Sequence, residues 1–205
     1  RAANELDPSI VEGAAGHPTN PRIAAGLGVI PRVVSNGRAI QLGKISLADA
    51  QARLESCYFP YHSALRGLVE AQQQRFGACY LFDIHSMPRS SLPIGLLARQ
   101  PDVVLGDRYG TSCDHWITDA ASAIFTEAGF KVARNAPFAG GYITQNYGAP
   151  SKGRHVLQIE IDRSLYMNEA RIEPRKEFEA FRIRMSDALS ELAKLAPCAR
   201  SLAAE

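Results

Sequence analysis

The sequence predicts an α/β fold of three layers, in which a mixed, largely parallel sheet is flanked by helices. Short β-branched and aromatic runs alternate along it with segments whose apolar residues recur at helical spacing, and that alternation is the mark of a layered α/β domain. Its 205 residues, 46% of them hydrophobic, suffice to bury one core and are few for two. Residues 1–205 are therefore read as a single domain.

Residues 1–45, rich in Gly, Pro and Asn with a short apolar stretch near Ile30 to Val34, are expected to form an extended surface loop. From Ser46 the pattern changes. Ser46 with Asp49 three residues on resembles a helix start, and Leu54, Leu65, Leu68 and Val69 then recur at helical spacing. Pro60 is expected to break or kink that helix. Gly77 ends it, and CYLFDI at 79–84 follows as a buried strand. DVVLG at 102–106 is a second strand.

Residues 114–128 carry Trp116, Ile117, Ala120, Ala121, Ile124 and Phe125 on one helical face, closed by Gly129, with a strand expected at 130–134. The segment 135–150 holds Gly140, Gly141, Gly148 and two prolines, so it is expected to be a structured loop or short ribbon. HVLQIEID at 155–162 is another strand, and a last helix is expected from about Pro174, as a first-turn proline, to about Leu195.

Composition excludes several classes of partner. The 23 basic and 21 acidic side chains leave a net charge of +2, too small to draw nucleic acid or an anionic membrane. Apolar runs fall short of the roughly 18 residues that span a bilayer, and the first residues lack the pattern of a secretion signal. Cys57, Cys79, Cys113 and Cys198 lie far apart with no CxxC pair. That spacing fits neither a zinc knot nor a disulfide framework and suits a reducing cytoplasm. The expected partner is a small molecule.

Four segments carry candidate chemistry. In DIHSMP at 83–88, at the end of a strand, alternation sends Asp83 and His85 to one side and Ile84 into a layer of helices. A carboxylate beside an imidazole is the arrangement that fixes the tautomer of a metal-binding histidine; the alternative is a satisfied strand-end histidine. In QIEID, Gln158, Glu160 and Asp162 share a face opposite Leu157, Ile159 and Ile161. A carboxylate leaving so apolar a strand needs a partner, which makes Glu160 a candidate general base; the alternative is a solvated acidic face. In the glycine segment, Gly140 and Gly141 permit close backbone approach while Asn135, Tyr142 and Asn146 offer donors, against the plainer reading of a tight turn. In LGDRYGTSCD at 105–114, one of Thr111, Ser112 and Asp114 is expected to cap the following helix, Arg108 is a weaker site candidate, and Cys113 has no base beside it. His17, His62, His115 and His155 are left without a catalytic role, and there is no HExxH motif.

Taken in order, DIHSMP, LGDRYGTSCD, NAPFAGGYITQNYG and HVLQIEIDRSLYMNE resemble the motifs of the N-formylglutamate amidohydrolases across residues 83–169. The resemblance implies a fold similar to the zinc carboxypeptidases, a single zinc ion, and a water activated by a glutamate. Position by position it makes His85 a zinc ligand, with Asp83 as a supporting residue beside it, and Glu160 the catalytic glutamate. It also makes Arg1, in RAANELDPS, the arginine that holds a substrate carboxylate, with Arg163, Asn135 and Tyr142 as further substrate contacts.

The implied reaction is hydrolysis of an N-acyl amino acid, with N-formyl-L-glutamate giving formate and glutamate as the leading case. The family's His-Ser-Gly metal segment does not occur in these residues, so the resemblance implies that the remaining ligands lie upstream of Arg1. Two other readings stay open: a metal-free, non-catalytic protein that binds a small acid, and an amidase for another N-acyl or peptide substrate.

Overall fold

The computed structural model describes residues 1–14, 20–34, 37–91 and 100–195; His17 and Cys198 lie outside the described residues. Contacts divide the chain into two compact units, Arg1–Leu68 and Val69–Glu205.

In the first unit the expected surface loop has little regular structure. It holds one short helix, α1 (Pro21–Ala24), capped by the Asn20 side chain, and isolated bridges join Val11 to Ile45 and Val33 to Ala39. The loop is nevertheless anchored, because Ile10, Val11, Ile30 and Ala50 bury a small apolar cluster. Asp7 is buried and accepts hydrogen bonds from the backbone and hydroxyl of Ser9 and, at 3.2 Å, from Arg32 Nε. Burial pushes its pKa up, but the Ser9 bonds and the Arg32 charge outweigh burial and hold it below the ordinary carboxylate value.

Helix α2 (Leu47–Arg53) begins as the sequence predicts. Ser46 Oγ accepts from Asp49 N at 3.0 Å and donates to the Asp49 carboxylate at 2.7 Å. A π turn over Leu54–Tyr58 then leads into α3 (Phe59–Phe76). Pro60 therefore neither breaks nor ends the helix: the wider turn just before it accommodates a residue whose nitrogen has no hydrogen to donate. Leu54 and Val69 are buried, whereas Leu68 is 64% exposed and lies off the apolar stripe.

The second unit contains the sheet. Its strands are β1 (Cys79–Met87), β2 (Val103–Gly106), β3 (Val132–Arg134) and β4 (Arg154–Asp162), in spatial order β1-β4-β2-β3. β1 and β4 are parallel, β2 and β3 are parallel, and β2 runs antiparallel to β4. Helices α4 (His115–Glu127), α5 (Tyr142–Tyr147) and α6 (Phe178–Ala193) accompany it.

Alternation sorts the strand residues into two faces. Val103, Leu105, Leu157, Ile159 and Ile161 pack with Ile117, Ala121 and Phe125 of α4 and with Met185, Ala188 and Leu192 of α6 in one continuous core. Phe130, Phe181 and Tyr166 extend that core by ring contacts, and the Arg184 guanidinium lies 4.4 Å from the Phe130 centroid. The opposite face carries α5 and the glycine-rich segment before it.

Three expectations need correction. Ile84 does not enter a helical layer: it is 49% exposed, because β1 has β4 on one side and no strand of the described sheet on the other. Pro174 does not start the last helix. Glu173–Pro174 form β6, paired antiparallel with β5 (Met167–Asn168), and the helix begins at Phe178. A proline suits an edge position in a two-stranded ribbon, since no donor is missed there. Finally, the segment 135–150 is partly helical, with α5 inside it.

Two outcomes follow for stability. Phe125→Ala empties a fully buried ring site between α4 and Phe130 and should cost about 3–5 kcal/mol in denaturant unfolding. Asp7→Asn should cost about 1–2 kcal/mol near neutral pH. Because the folded pKa of Asp7 is depressed, its contribution is present above the unfolded value near about 4 and is lost as pH falls through the folded value. The gap between the two proteins in a pH series of unfolding curves should thus narrow on acidification.

Candidate active site

The parallel register of β1 on β4 sets Asp83 opposite Gln158 and His85 opposite Glu160. All four side chains belong to the sheet face away from α4 and α6, two residues apart along each strand. His85 Nε2 lies 3.0 Å from Asp83 Oδ2. That hydrogen bond raises the His85 pKa, working against burial and aided by the charges of Asp83 and Glu160. Asp83 thus orients the ring and leaves Nδ1 as the nitrogen turned to any other partner.

Glu160 is buried, on the strand next to a fully apolar core layer. Burial raises its pKa, partly offset by the His85 charge and by a hydrogen bond from Gln158 Nε2 to Glu160 Oε1 at 2.8 Å. Gln158 is itself buried, and its Oε1 accepts from Gly141 N at 2.6 Å. The glycine-rich segment reaches the strand here because Gly106, opposite Gln158 on β2, has no side chain. A Cβ on it would meet Ala139 C and Gly140 N at 2.8 Å.

At the far end of the two strands, Arg163 Nε donates to Ser86 Oγ at 3.1 Å and its Nη2 to Ser86 O at 3.2 Å, leaving Nη1. Asp162, fully buried, receives Arg89 Nη1 and the backbone N–H of Ser164. Tyr142 opens α5 beside Gly141. The Asn135 amide is turned inward. Its Oδ1 accepts from Asp107 N and Tyr109 N, and its Nδ2 donates to Asp107 Oδ1 at 2.7 Å. It fixes a turn in which Arg108, Tyr109 and Gly110 all have positive φ. Arg1 lies in the first unit, where its Nε donates to Leu27 O at 2.7 Å.

The expected helix cap takes another form. Asp114 occupies the N-cap of α4 without a side-chain cap bond, Ser112 Oγ donates to Val156 O, and Thr111 Oγ1 to Arg108 O. Asp114 N instead donates to Nδ1 of His155, a buried ring stacked 5.2 Å from Tyr80. His155 is a core residue, with burial lowering its pKa against the pull of Asp114. Cys113 is buried, and burial pushes its thiol up to about 12, so it is no nucleophile.

Chemically, this face offers a buried carboxylate poised as a proton acceptor and an imidazole oriented beside it, with an arginine at the strand ends held by Ser86, a residue that alternation puts on the other face. Among the described residues, no group of three or more His, Cys, Asp or Glu side chains is placed to hold a metal ion. A catalytic zinc usually takes three protein ligands, so a zinc site that included His85 would require two further ligands beyond those gathered here.

The model of the N-formylglutamate amidohydrolase family matches residues 1–167, a span that includes Asp83, His85, Gln158 and Glu160. The chain belongs to this family. An N-formylglutamate deformylase of Pseudomonas putida is 38% identical to this amidohydrolase-family chain over 117 residues, 57% of the chain and 43% of that protein. One from Pseudomonas aeruginosa is 32% identical over 145 residues, 69% of the chain and 54% of that protein. The chain thus spans about half the length of these two relatives. The crystal structure of N-formylglutamate amidohydrolase from Ralstonia eutropha JMP134 matches with a TM-score of 0.80 and 34% identity, covering 94% of the chain and 70% of that structure. The α/β fold and the family read from the four ordered motifs are both borne out.

Gln158, Ser86 and Arg89 had no role in the sequence reading. Gln158 shared a strand face with Glu160, which is the signal that marks it; its bond to Gly141 depends on tertiary contact. In this amidohydrolase-family site Asn135 is the clearest structural strut. Asn135→Gly removes the amide and should lower unfolding free energy by about 1–3 kcal/mol. Asn135→Ala keeps a Cβ in the left-handed region, at φ 58° here, without the amide bonds that hold it there, and should be about 1 kcal/mol less stable than Asn135→Gly by the same unfolding measurement.

Proposed function

We propose that the protein hydrolyses the amide bond of an N-acyl amino acid, with N-formyl-L-glutamate as substrate and formate and L-glutamate as products. The observation that carries this reading is the buried Glu160 carboxylate beside His85, in a chain of the N-formylglutamate amidohydrolase family.

In this reading Glu160 takes a proton from water as the water oxygen attacks the formyl carbon. The C–N bond then breaks, and the same proton passes to the leaving nitrogen, so that Glu160 ends as it began. Burial, by raising the carboxylate's proton affinity, makes it a better acceptor, while His85 and Gln158 keep the ionised form accessible. Arg163 holds a substrate carboxylate through Nη1, and Tyr142, at the start of α5, is a further substrate contact. Asn135 acts through the 107–110 turn. Arg1 enters through the family resemblance alone, as an arginine that binds a substrate carboxylate.

Zinc belongs to the same proposal, with His85 as one ligand; when bound it supplies polarisation of the acyl oxygen. A cytoplasmic setting is proposed from the cysteine spacing. Among the described residues, no helix is long and apolar enough to cross a membrane.

Formate release from N-formyl-L-glutamate by the native protein tests the reaction, and Glu160→Gln should lower turnover at least about 10²-fold with the fold intact by circular dichroism. Metal analysis of His85→Ala beside the parent tests the zinc assignment, with lower zinc content expected. Binding of L-glutamate without any release of formate would overturn the catalytic reading in favour of a small-acid binding protein.

A further inference from the structure

We propose that Gln158 is the positioning residue of this site: its amide couples the glycine-rich segment to the Glu160 carboxylate and holds that carboxylate in its working orientation. The proposal rests on Glu160 being the base.

The amide is used at both ends. Gly141 N–H is 2.6 Å from Gln158 Oε1, and Gln158 Nε2 is 2.8 Å from Glu160 Oε1. An amide whose oxygen is fixed by a backbone donor has its nitrogen pointed by default, so the Gly141 bond decides which way the Nε2 hydrogens face. One Glu160 oxygen is thereby occupied, which leaves Oε2 as the proton acceptor and removes the carboxylate's freedom to rotate. Gln158 is buried, so water does not substitute for either bond at low cost.

The chain builds this relay with glycines on both sides of the amide. Gly106, opposite Gln158, lets Phe138, Ala139 and Gly140 pass close to the strand, with a hypothetical Cβ only 2.8 to 2.9 Å from their backbone atoms. At Gly141 a Cβ would stand 3.1 Å from Gln158 Oε1. A side chain there presses on the amide oxygen itself. The glycine pair is therefore a device that brings one backbone N–H onto one side chain, and that side chain touches the base.

Gln158→Glu is near-isosteric. It keeps an acceptor for Gly141 N–H but replaces the donor to Glu160 with a second carboxylate. Formate release should show kcat lowered about 10- to 100-fold with KM within about twofold of the parent, since the lost contact orients the base without touching substrate. Gly141→Ala should lower kcat in the same way. The double variant Gly141→Ala with Gln158→Glu should lose much less than the product of the two single losses, as expected of residues in one relay. Calorimetric titration with L-glutamate should give unchanged affinity in all three.

In a Glu160→Gln background, Gln158→Glu should add no further loss. Parent-like kcat in Gln158→Glu, with Glu160→Gln inactive, overturns the positioning role and leaves the base in place. Strictly multiplicative losses, or a loss confined to KM, overturn it too. Parent-like turnover in Glu160→Gln brings down the reading on which it rests. If Gln158→Glu does not fold, the KM-against-kcat split in Gly141→Ala decides by itself.

Discussion

The site depends on one constraint, the pairing register of β1 on β4. Side chains on a strand alternate with a period of two, so a slip of one residue would turn Asp83 and His85 toward the helical core and bring Ile84 to the face of Glu160. The register is held by what the faces bury. Leu157, Ile159 and Ile161 must meet α4 and α6, and that requirement fixes β4 without reference to its polar face. β1 is then tied to β4 at its end by Arg163 and Ser86. Apolar packing on one side of the sheet is thus what places the imidazole beside the carboxylate on the other.

That arrangement resolves the cost of burying Glu160. An ionised carboxylate next to an apolar layer is expensive unless it is paired and hydrogen-bonded. Here one oxygen receives Gln158 and the neighbouring strand brings His85. Support from residues on the same two strands is more exact than support from a loop, because strand positions are fixed by ladder bonds. The loop still contributes, through the single point where Gly141 meets Gln158.

Much of this was legible in the sequence because it rests on local period. Alternation in QIEID and DIHS identified which residues share a face, and helical spacing identified α4 with its Gly129 stop. The adjacency of β1 and β4 was not legible: 66 residues separate Met87 from Arg154, and two other strands intervene in the chain. Propensity also had no view of neighbours. Pro174 reads equally as a helix start or a ribbon edge, and Ile84 reads as buried because edge status is a tertiary fact. Asn135 showed its donors in sequence but not their direction. Its positive φ turns the amide into the 107–109 turn, where two backbone N–H groups and the Asp107 carboxylate claim it.

The same reasoning separates what Arg163 and His85 can each do in this chain. Arg163 already spends two nitrogens on Ser86, so its guanidinium is held in one plane at the end of β4 with Nη1 remaining. A fixed guanidinium loses less freedom when it meets a carboxylate than a flexible one, which favours a binding role in addition to the structural one. His85 is oriented just as firmly by Asp83, yet an imidazole alone does not define a metal site. Orientation therefore precedes ligation here: the sheet supplies a ring set in direction and tautomer by its own strand neighbour, and the chemistry of that ring is decided by whatever meets Nδ1.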